Sequence, residues 1–112
     1  MFPNKNYIVA LIAASIILLI WRYMCKPVYW FFRESCPYCI QMKDEWVQFK
    51  YMITISMILP IDIDITTLDG QAMSKIYGVS SVPTLIKIDD GRPSIYDGDR
   101  NALDIYLWAT KY

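Results

Sequence analysis

The sequence contains no histidine, and its 112 residues include only three cysteines. Without histidine the chain lacks an imidazole for metal binding and for a Ser-His or Cys-His catalytic pair. Three cysteines in one chain cannot complete a four-thiolate metal site, and an odd count is not typical of a disulfide-stapled scaffold. These absences exclude histidine-based hydrolysis and argue against a four-thiolate metal centre within one chain.

An excess of positive charge is also missing, because Lys and Arg together number 11 and Asp and Glu together also number 11. Proteins that follow nucleic acid need surplus positive charge to neutralise phosphates, so nucleic acid is not an expected partner. The length fits one ordinary domain. Hydrophobic residues make up 55% of the sequence and its mean hydropathy is +0.25, which is more apolar than one such domain requires.

The apolar excess lies in residues 7–21, which contain no charged residue and only Ser15 as a polar interruption. As a helix, residues 7–24 would be about 27 Å long, close to the hydrocarbon thickness of a thin bilayer. This pattern predicts an N-terminal tail at 1–6 and a single-pass transmembrane anchor at 7–24, in contact with the lipid bilayer. A cleaved secretory signal and a buried helix of a soluble domain are the alternatives. The flanking positive charges lean slightly towards a cytosolic C-terminal domain, and the side of the membrane is left open.

The pattern over residues 27–112 predicts alternating strands and helices. Because a helix connects the first two strands, these strands must be parallel. The order β-α-β-α-β-β-α then predicts a three-layer α/β/α sandwich around a mixed sheet. Strands are expected at 28–32, 58–63, 84–88 and 94–96, and helices in the segments that begin near Pro37, Asp69 and Asn101.

Local signals support the last three elements. Asp90-Gly91 between the last two strands predicts a tight hairpin, since this dipeptide adopts the positive φ angles that such turns need. Asn101 is expected to cap the final helix, and its apolar residues Leu103, Tyr106, Leu107 and Trp108 are expected to lie on one side.

The quartet Cys36-Pro37-Tyr38-Cys39 lies between a predicted strand and the start of a predicted helix. Free amides and the helix dipole stabilise a thiolate at a helix N-terminus, so Cys36 is expected to have a lowered pKa and an exposed, nucleophilic sulfur. Cys39, one turn later, is expected to be shielded yet close enough to attack a mixed disulfide formed at Cys36. The spacing in this context predicts redox chemistry. The alternatives are a zinc half-site completed by another chain, a structural disulfide and a chance pair.

Three segments within residues 27–112 resemble the thioredoxin superfamily. Residues 31–39 (FFRESCPYC) resemble its strand end and active-site segment, residues 77–85 (YGVSSVPTL) its YGVxxxPTL segment, and residues 96–100 (YDGDR) its YxGxR segment. The resemblance implies a thioredoxin-like α/β/α fold and thiol-disulfide exchange. It also implies protein partners that carry thiols or disulfides, and a reaction that uses neither a cofactor nor a metal.

Roles for individual residues follow from the same resemblance. Cys36 would be the attacking thiol and Cys39 the resolving thiol. Pro83 would follow a cis peptide bond and face the two cysteines, and the Val82 backbone would pair with an extended substrate segment as an added strand. Without the resemblance, Pro83 reads as a proline that starts a strand. The residues expected to contact substrate are Pro37, Tyr38, Val82 and Pro83.

Two features depart from the related patterns. The CPYC quartet is typical of glutaredoxins, which bind glutathione through a Gly-Gly pair, but here Gly98 is followed by Asp99. Thioredoxins carry a buried acid six residues before the first cysteine, and here that position is Trp30. Proton transfer from Cys39 would then need water or another carboxylate, of which Glu34 is the nearest in sequence.

The leading hypothesis is a membrane-anchored protein thiol-disulfide oxidoreductase that works through the CPYC quartet. Its direction and its electron donor are open, since small changes in reduction potential decide between reduction, oxidation and isomerisation. A non-catalytic thioredoxin-like binding module is one alternative. A glutaredoxin-like iron-sulfur protein, in which two chains hold a cluster together with glutathione, is another.

Overall fold

The computed structural model describes residues 5–111, except for the side chains of Arg22 and Tyr23. The predicted order of strands and helices after the first helix is confirmed, and residues 1–4 of the predicted N-terminal tail lie outside the described part. The elements in chain order are α1 (Lys5–Met24), β1 (Lys26–Phe32), α2 (Pro37–Met52), β2 (Ile58–Asp64), α3 (Leu68–Tyr77), β3 (Thr84–Asp89), β4 (Arg92–Ile95) and α4 (Ala102–Thr110).

The four strands form one mixed sheet in the order β2-β1-β3-β4. β1 is parallel to β2 and antiparallel to β3, and β3 is antiparallel to β4. β2 therefore lies at an edge of the sheet. This position explains how the strand accommodates Pro60, because an edge strand pairs on one side only and tolerates a missing N–H.

Side chains of β1 alternate between the two faces of the sheet. Val28 and Trp30 belong to the core cluster that includes buried residues of α2 and α4. Tyr29 and Phe31 point the other way and contact Tyr77 of α3, with ring centroids 5.6 and 6.5 Å apart. Helices thus cover both faces, and the predicted three-layer arrangement is confirmed.

The apolar residues of α4 do not share one side as predicted. Leu103 and Leu107 are 58% and 55% exposed, whereas Tyr106 and Trp108 pack against the core cluster. The buried residues of this helix are Ala102, Ile105 and Ala109, which are three and four positions apart and so share one side. The two alanines have short side chains, which lets α4 pack closely on α2.

Local signals set the ends of several elements as expected. Asp90 and Gly91 have positive φ angles of 51° and 76° and close the hairpin between β3 and β4. Gly78 ends α3 in the left-handed conformation, at φ 66°. At the start of α4, the Asn101 side chain accepts a hydrogen bond from the Asp104 N–H at 2.9 Å.

Helix α1 precedes the sheet, and many of its apolar side chains are exposed. Among the residues that the structure describes, no helix has both the length and the apolar character needed to cross a membrane. The prediction of a transmembrane anchor at 7–24 is therefore not supported.

Candidate active site

Cys36 caps the N-terminus of α2. Its backbone is extended (φ −81°, ψ 119°), and its Sγ accepts a hydrogen bond from the Cys39 N–H at 3.3 Å. Pro37 follows at the start of the helix, where its missing N–H leaves no helical hydrogen bond unmade. The predicted strand-to-helix turn thus places the Cys36 sulfur beside the free amides of a helix start.

The two cysteines are thiols one helical turn apart, and both are enclosed. Cys36 is 4% exposed and Cys39 is 2% exposed. The expectation that Cys39 is shielded is confirmed, but the expectation of an exposed Cys36 sulfur is wrong. The reason is that the carbonyl oxygen of Val82 lies 3.7 Å from Cys36 Sγ, and the residue packs into the core cluster.

The environment moves the pKa values of the two thiols in opposite directions. The pKa of Cys36 is lowered mainly by a hydrogen bond from the Cys39 side chain, whereas burial raises it. The backbone N–H groups of Cys39 and Tyr38 and the charge of Arg33 lower this pKa further. Burial raises the pKa of Cys39 to about 11, helped by the hydrogen bond and the charge of Cys36 and opposed by Arg33. The proton therefore leaves Cys36 first and stays on Cys39.

The loop that precedes β3 lies against the Cys36 sulfur. The Val82–Pro83 peptide bond is cis, as the resemblance implies. The Cys36 thiol donates a long hydrogen bond to the Val82 carbonyl, which brings this loop to the start of α2. Thr84 Oγ1 donates to the Ser81 carbonyl at 2.6 Å and so closes the loop on itself.

Tyr38 and the loop before α4 form one side of the site. Tyr38 is 61% exposed, and the guanidinium carbon of Arg100 lies 5.4 Å from the centroid of its ring. Arg100 also lines a cavity of about 150 Å³ together with Pro83 and Gly98. The sequence segment 96–100 is therefore placed beside Tyr38 and Pro83, although sequence reasoning gave Arg100 no role.

The position of the expected buried acid is filled by a large apolar ring system. Trp30 is 3% exposed and stacks on Phe32, with ring centroids 4.5 Å apart; its Nε1 has no hydrogen-bond partner among the described residues. Glu34 is exposed. Asp62, opposite Trp30 on β2, accepts a hydrogen bond from Trp46 Nε1 at 2.6 Å. The described residues form no cluster of three acidic or cysteine side chains that could hold a metal ion.

Arg33 is a site residue that the sequence reasoning did not single out. It directly follows β1, its carbonyl accepts a hydrogen bond from the Cys36 N–H at 3.1 Å, and its charge lowers the pKa of both Cys36 and Cys39. Its side chain also lines a cavity of about 600 Å³ together with Val82. A cation three residues before the first cysteine is the signal that could have indicated this role.

Comparison with solved structures identifies the architecture. The first thioredoxin domain of mouse protein disulfide-isomerase A4 matches with a TM-score of 0.68 and 19% identity, over 96% of this chain and 70% of that one. The J-Trx1 fragment of ERdj5 also has a TM-score of 0.68 and 19% identity, over 78% of this chain. The chain has a thioredoxin fold. A third match is thioredoxin-2, described as a component of malaria parasite protein secretion machinery, with a TM-score of 0.68, 18% identity and coverage of 79% of this chain and 84% of that one.

The thioredoxin fold here corresponds to only part of some of these proteins. The chain spans 42% of the ERdj5 fragment and 27% of human ERp44 in its zinc-bound form. No protein-family model and no curated protein matches the sequence.

Proposed function

We propose that this protein is a thiol-disulfide oxidoreductase that exchanges disulfides with protein substrates through Cys36 and Cys39. The observation that carries the proposal is the Cys36 sulfur, which caps α2, receives the Cys39 N–H and lies against the loop of the cis Val82–Pro83 bond. The likeness to a protein disulfide-isomerase domain and to thioredoxin-2 supports the same class of reaction. The chemistry is assigned to residues 27–112.

The attacking group in this proposal is the Cys36 thiolate. It attacks one sulfur of a substrate disulfide, which forms a mixed disulfide and releases the other substrate sulfur as a thiolate. Cys39 then loses its proton and attacks Cys36 Sγ, which releases the second substrate thiol and leaves a Cys36–Cys39 disulfide. Two electrons pass from the protein to the substrate, and the reverse sequence oxidises a substrate dithiol. The opposite shifts of the two pKa values suit this division of roles.

Substrate docking in this proposal uses the surface around the sulfur. An extended substrate segment pairs with the Val82 backbone as an added strand, and Pro83 packs against the disulfide. Tyr38, which is exposed, and Pro37, at the helix start, contact the substrate from the opposite side.

The reduction potential of the Cys36–Cys39 pair tests the proposal and sets its direction. The full chain is equilibrated in graded glutathione buffers, and the disulfide is quantified by mass spectrometry. A reversible disulfide near or below about −230 mV indicates a reductase, and a value of about −180 mV or above indicates an oxidant or isomerase. The Cys39→Ser variant is the control, because it cannot form the Cys36–Cys39 disulfide. If no intramolecular disulfide forms at any potential, the proposal is wrong.

A non-catalytic binding module is the second candidate, and the Trp30 position favours it. The indole of Trp30 cannot accept the Cys39 proton, which a buried acid at that position would do. A module of this kind would retain its client when Cys36 and Cys39 are both replaced by Ser. The oxidoreductase proposal expects that double variant to lose disulfide exchange completely.

A further inference from the structure

A cavity of about 600 Å³ lies next to the thiol pair, on the side of the sheet that α3 covers. Residues that follow β1 and β2, one side of α3 and the loop before β3 form its walls. Val82 belongs both to this wall and to the site, because its carbonyl contacts Cys36 Sγ. The lining residues that matter below are Arg33, Gln71, Ser74, Lys75 and Val82.

The cavity has a one-sided charge. Arg33 and Lys75 are both cationic, and none of the lining residues is acidic. Within the described part of residues 5–111 the ion pairs join Lys26 to Asp89 and Lys50 to Asp62, and neither Arg33 nor Lys75 forms one. The chain as a whole has no net charge, so the positive character belongs to this cavity and not to the protein in general.

The polar groups of α3 point to the same ligand chemistry. Gln71, Ser74 and Lys75 are three and four positions apart and therefore share one side of the helix. Ser74 Oγ donates to the Gly70 carbonyl at 2.8 Å, which fixes the hydroxyl at the cavity wall. The Ser74 hydroxyl uses its one proton in this bond, so the donors left for a ligand are the Gln71 amide, the Lys75 ammonium and the Arg33 guanidinium, which suit a carboxylate.

We propose that this cavity holds the carboxylate of an acidic residue close to the reactive cysteine of a protein substrate. The inference rests on the proposed function, and it names the class of substrate: an extended segment in which Asp or Glu lies within about three residues of the cysteine. An extended chain advances about 3.3 Å per residue, so an acid at that separation reaches the wall next to Val82. Arg33 and Lys75 select the substrate, while the exchange itself takes place at Cys36.

Peptide disulfides of matched sequence test the inference. Each peptide carries one cysteine as a mixed disulfide with 2-mercaptoethanol, and one Asp is moved through the three positions on either side, with an Asn peptide for each position. The reduced full chain is mixed with each peptide, and the released peptide thiol is quantified after an acid quench. We expect one Asp position to react about two- to fivefold faster than its Asn counterpart, the range of exposed ion pairs, because Arg33 and Lys75 are both exposed. At 1 M salt this advantage should largely vanish.

Charge variants identify the group responsible. Lys75→Gln should remove most of the Asp preference, and Lys75→Glu should reverse it in favour of a peptide with Lys at the same position. Arg92→Gln is the matched control, because it removes one cation from the hairpin at the opposite end of β3 from Pro83. Lys75 is preferred to Arg33 for this test, since Arg33 also influences the pKa of both cysteines.

The outcomes separate this inference from the proposed function. Equal rates for all Asp and Asn peptides would overturn the inference while the exchange activity itself stands. The inference would also be wrong if Lys75→Gln and Arg92→Gln reduced the Asp preference to the same extent. If no peptide disulfide is reduced by the wild-type chain, both the proposed function and this inference are wrong.

Discussion

Selective alkylation of Cys36 over Cys39 follows directly from the electrostatics of the site. Burial, together with Cys36, raises the pKa of Cys39 to about 11. Each pH unit below the pKa lowers the thiolate fraction tenfold, so at pH 8 about one Cys39 in a thousand is ionised. The pKa of Cys36 is shifted the other way by the Cys39 hydrogen bond. Only the thiolate reacts with an alkylating agent, so Cys36 should be labelled first.

The assay uses the reduced full chain in a Cys25→Ser background, so that two cysteines compete for the reagent. Iodoacetamide is added between pH 6 and pH 10, the reaction is quenched with excess thiol, and each labelled cysteine is quantified by peptide mass spectrometry. We expect Cys36 to be labelled first at every pH. The labelling rate of Cys39 should rise about tenfold per pH unit over this range, because its thiolate fraction rises by that factor.

Two controls separate the causes of the shift. In Cys36→Ser the charge of Cys36 is gone while burial remains, so Cys39 should be labelled faster than in the wild type and still more slowly than in the chain unfolded by denaturant. In the unfolded chain, the two cysteines should react at similar rates. Equal labelling of Cys36 and Cys39 in the folded chain at pH 8 would refute the reasoning.

Three substitutions test what holds the domain together, each by denaturant unfolding. Asp62→Ala removes the acceptor of the Trp46 indole N–H, which is bonded at 2.6 Å, and should lower the free energy of unfolding by about 2 kcal/mol. Asp62→Asn should lower it by roughly half as much, because the amide oxygen still accepts this hydrogen bond. Lys87→Met keeps the buried stem but loses the ammonium bonds of 2.8 and 3.0 Å to two carbonyls at the end of α4, for about 1–3 kcal/mol. Gly70→Ala should destabilise by more than about 2 kcal/mol, since a Cβ would lie 1.8 Å from the Asp64 carbonyl oxygen. A loss below about 0.5 kcal/mol in the Ala or Met variants would contradict the corresponding contact.

The parts of the fold that the sequence predicts well are those that local chemistry decides. Asp90-Gly91 closes its hairpin because both residues tolerate positive φ, and Asn101 caps α4 because its side chain reaches an amide three residues ahead. Gly78 ends α3 for the same kind of local reason. Each of these signals acts within four residues, so no knowledge of the rest of the chain is needed.

The parts that the sequence predicts poorly depend on distant partners. Ala102 is buried because α4 docks on α2, where the Glu45 side chain accepts its N–H at 2.7 Å from 57 positions away. Lys87 is buried in a central strand because its stem reaches the carbonyl end of α4. Leu103 is left exposed by the same docking. Apolar spacing within one helix does not reveal which side meets its neighbour.

The same distinction between local signals and distant partners applies to the candidate site. The positions of the two cysteines and Pro83, and the cis bond, could be predicted from short motifs, because the residues of such a motif make the same contacts whenever the fold forms. The burial of Cys36 and the position of Arg33 beside it could not be predicted from these motifs, because both depend on how the loop before β3 packs over the start of α2. The spacing of the motif therefore predicts which two sulfurs lie together, while the packed loop determines their exposure.

The coupling between the two thiols bears on how Cys39 can act without a buried acid at position 30. Burial raises the pKa of Cys39, and the hydrogen bond and negative charge of Cys36 raise it further. Once Cys36 is joined to a substrate sulfur, it is no longer a thiolate that accepts the Cys39 hydrogen bond and carries a negative charge, so two of the three causes that raise the pKa of Cys39 are removed. The charge and backbone of Arg33, which lower the pKa of Cys39, remain in place. In the proposed exchange, formation of the mixed disulfide would therefore make Cys39 more acidic at the step in which it attacks, so the reaction would depend less on a buried acid at position 30.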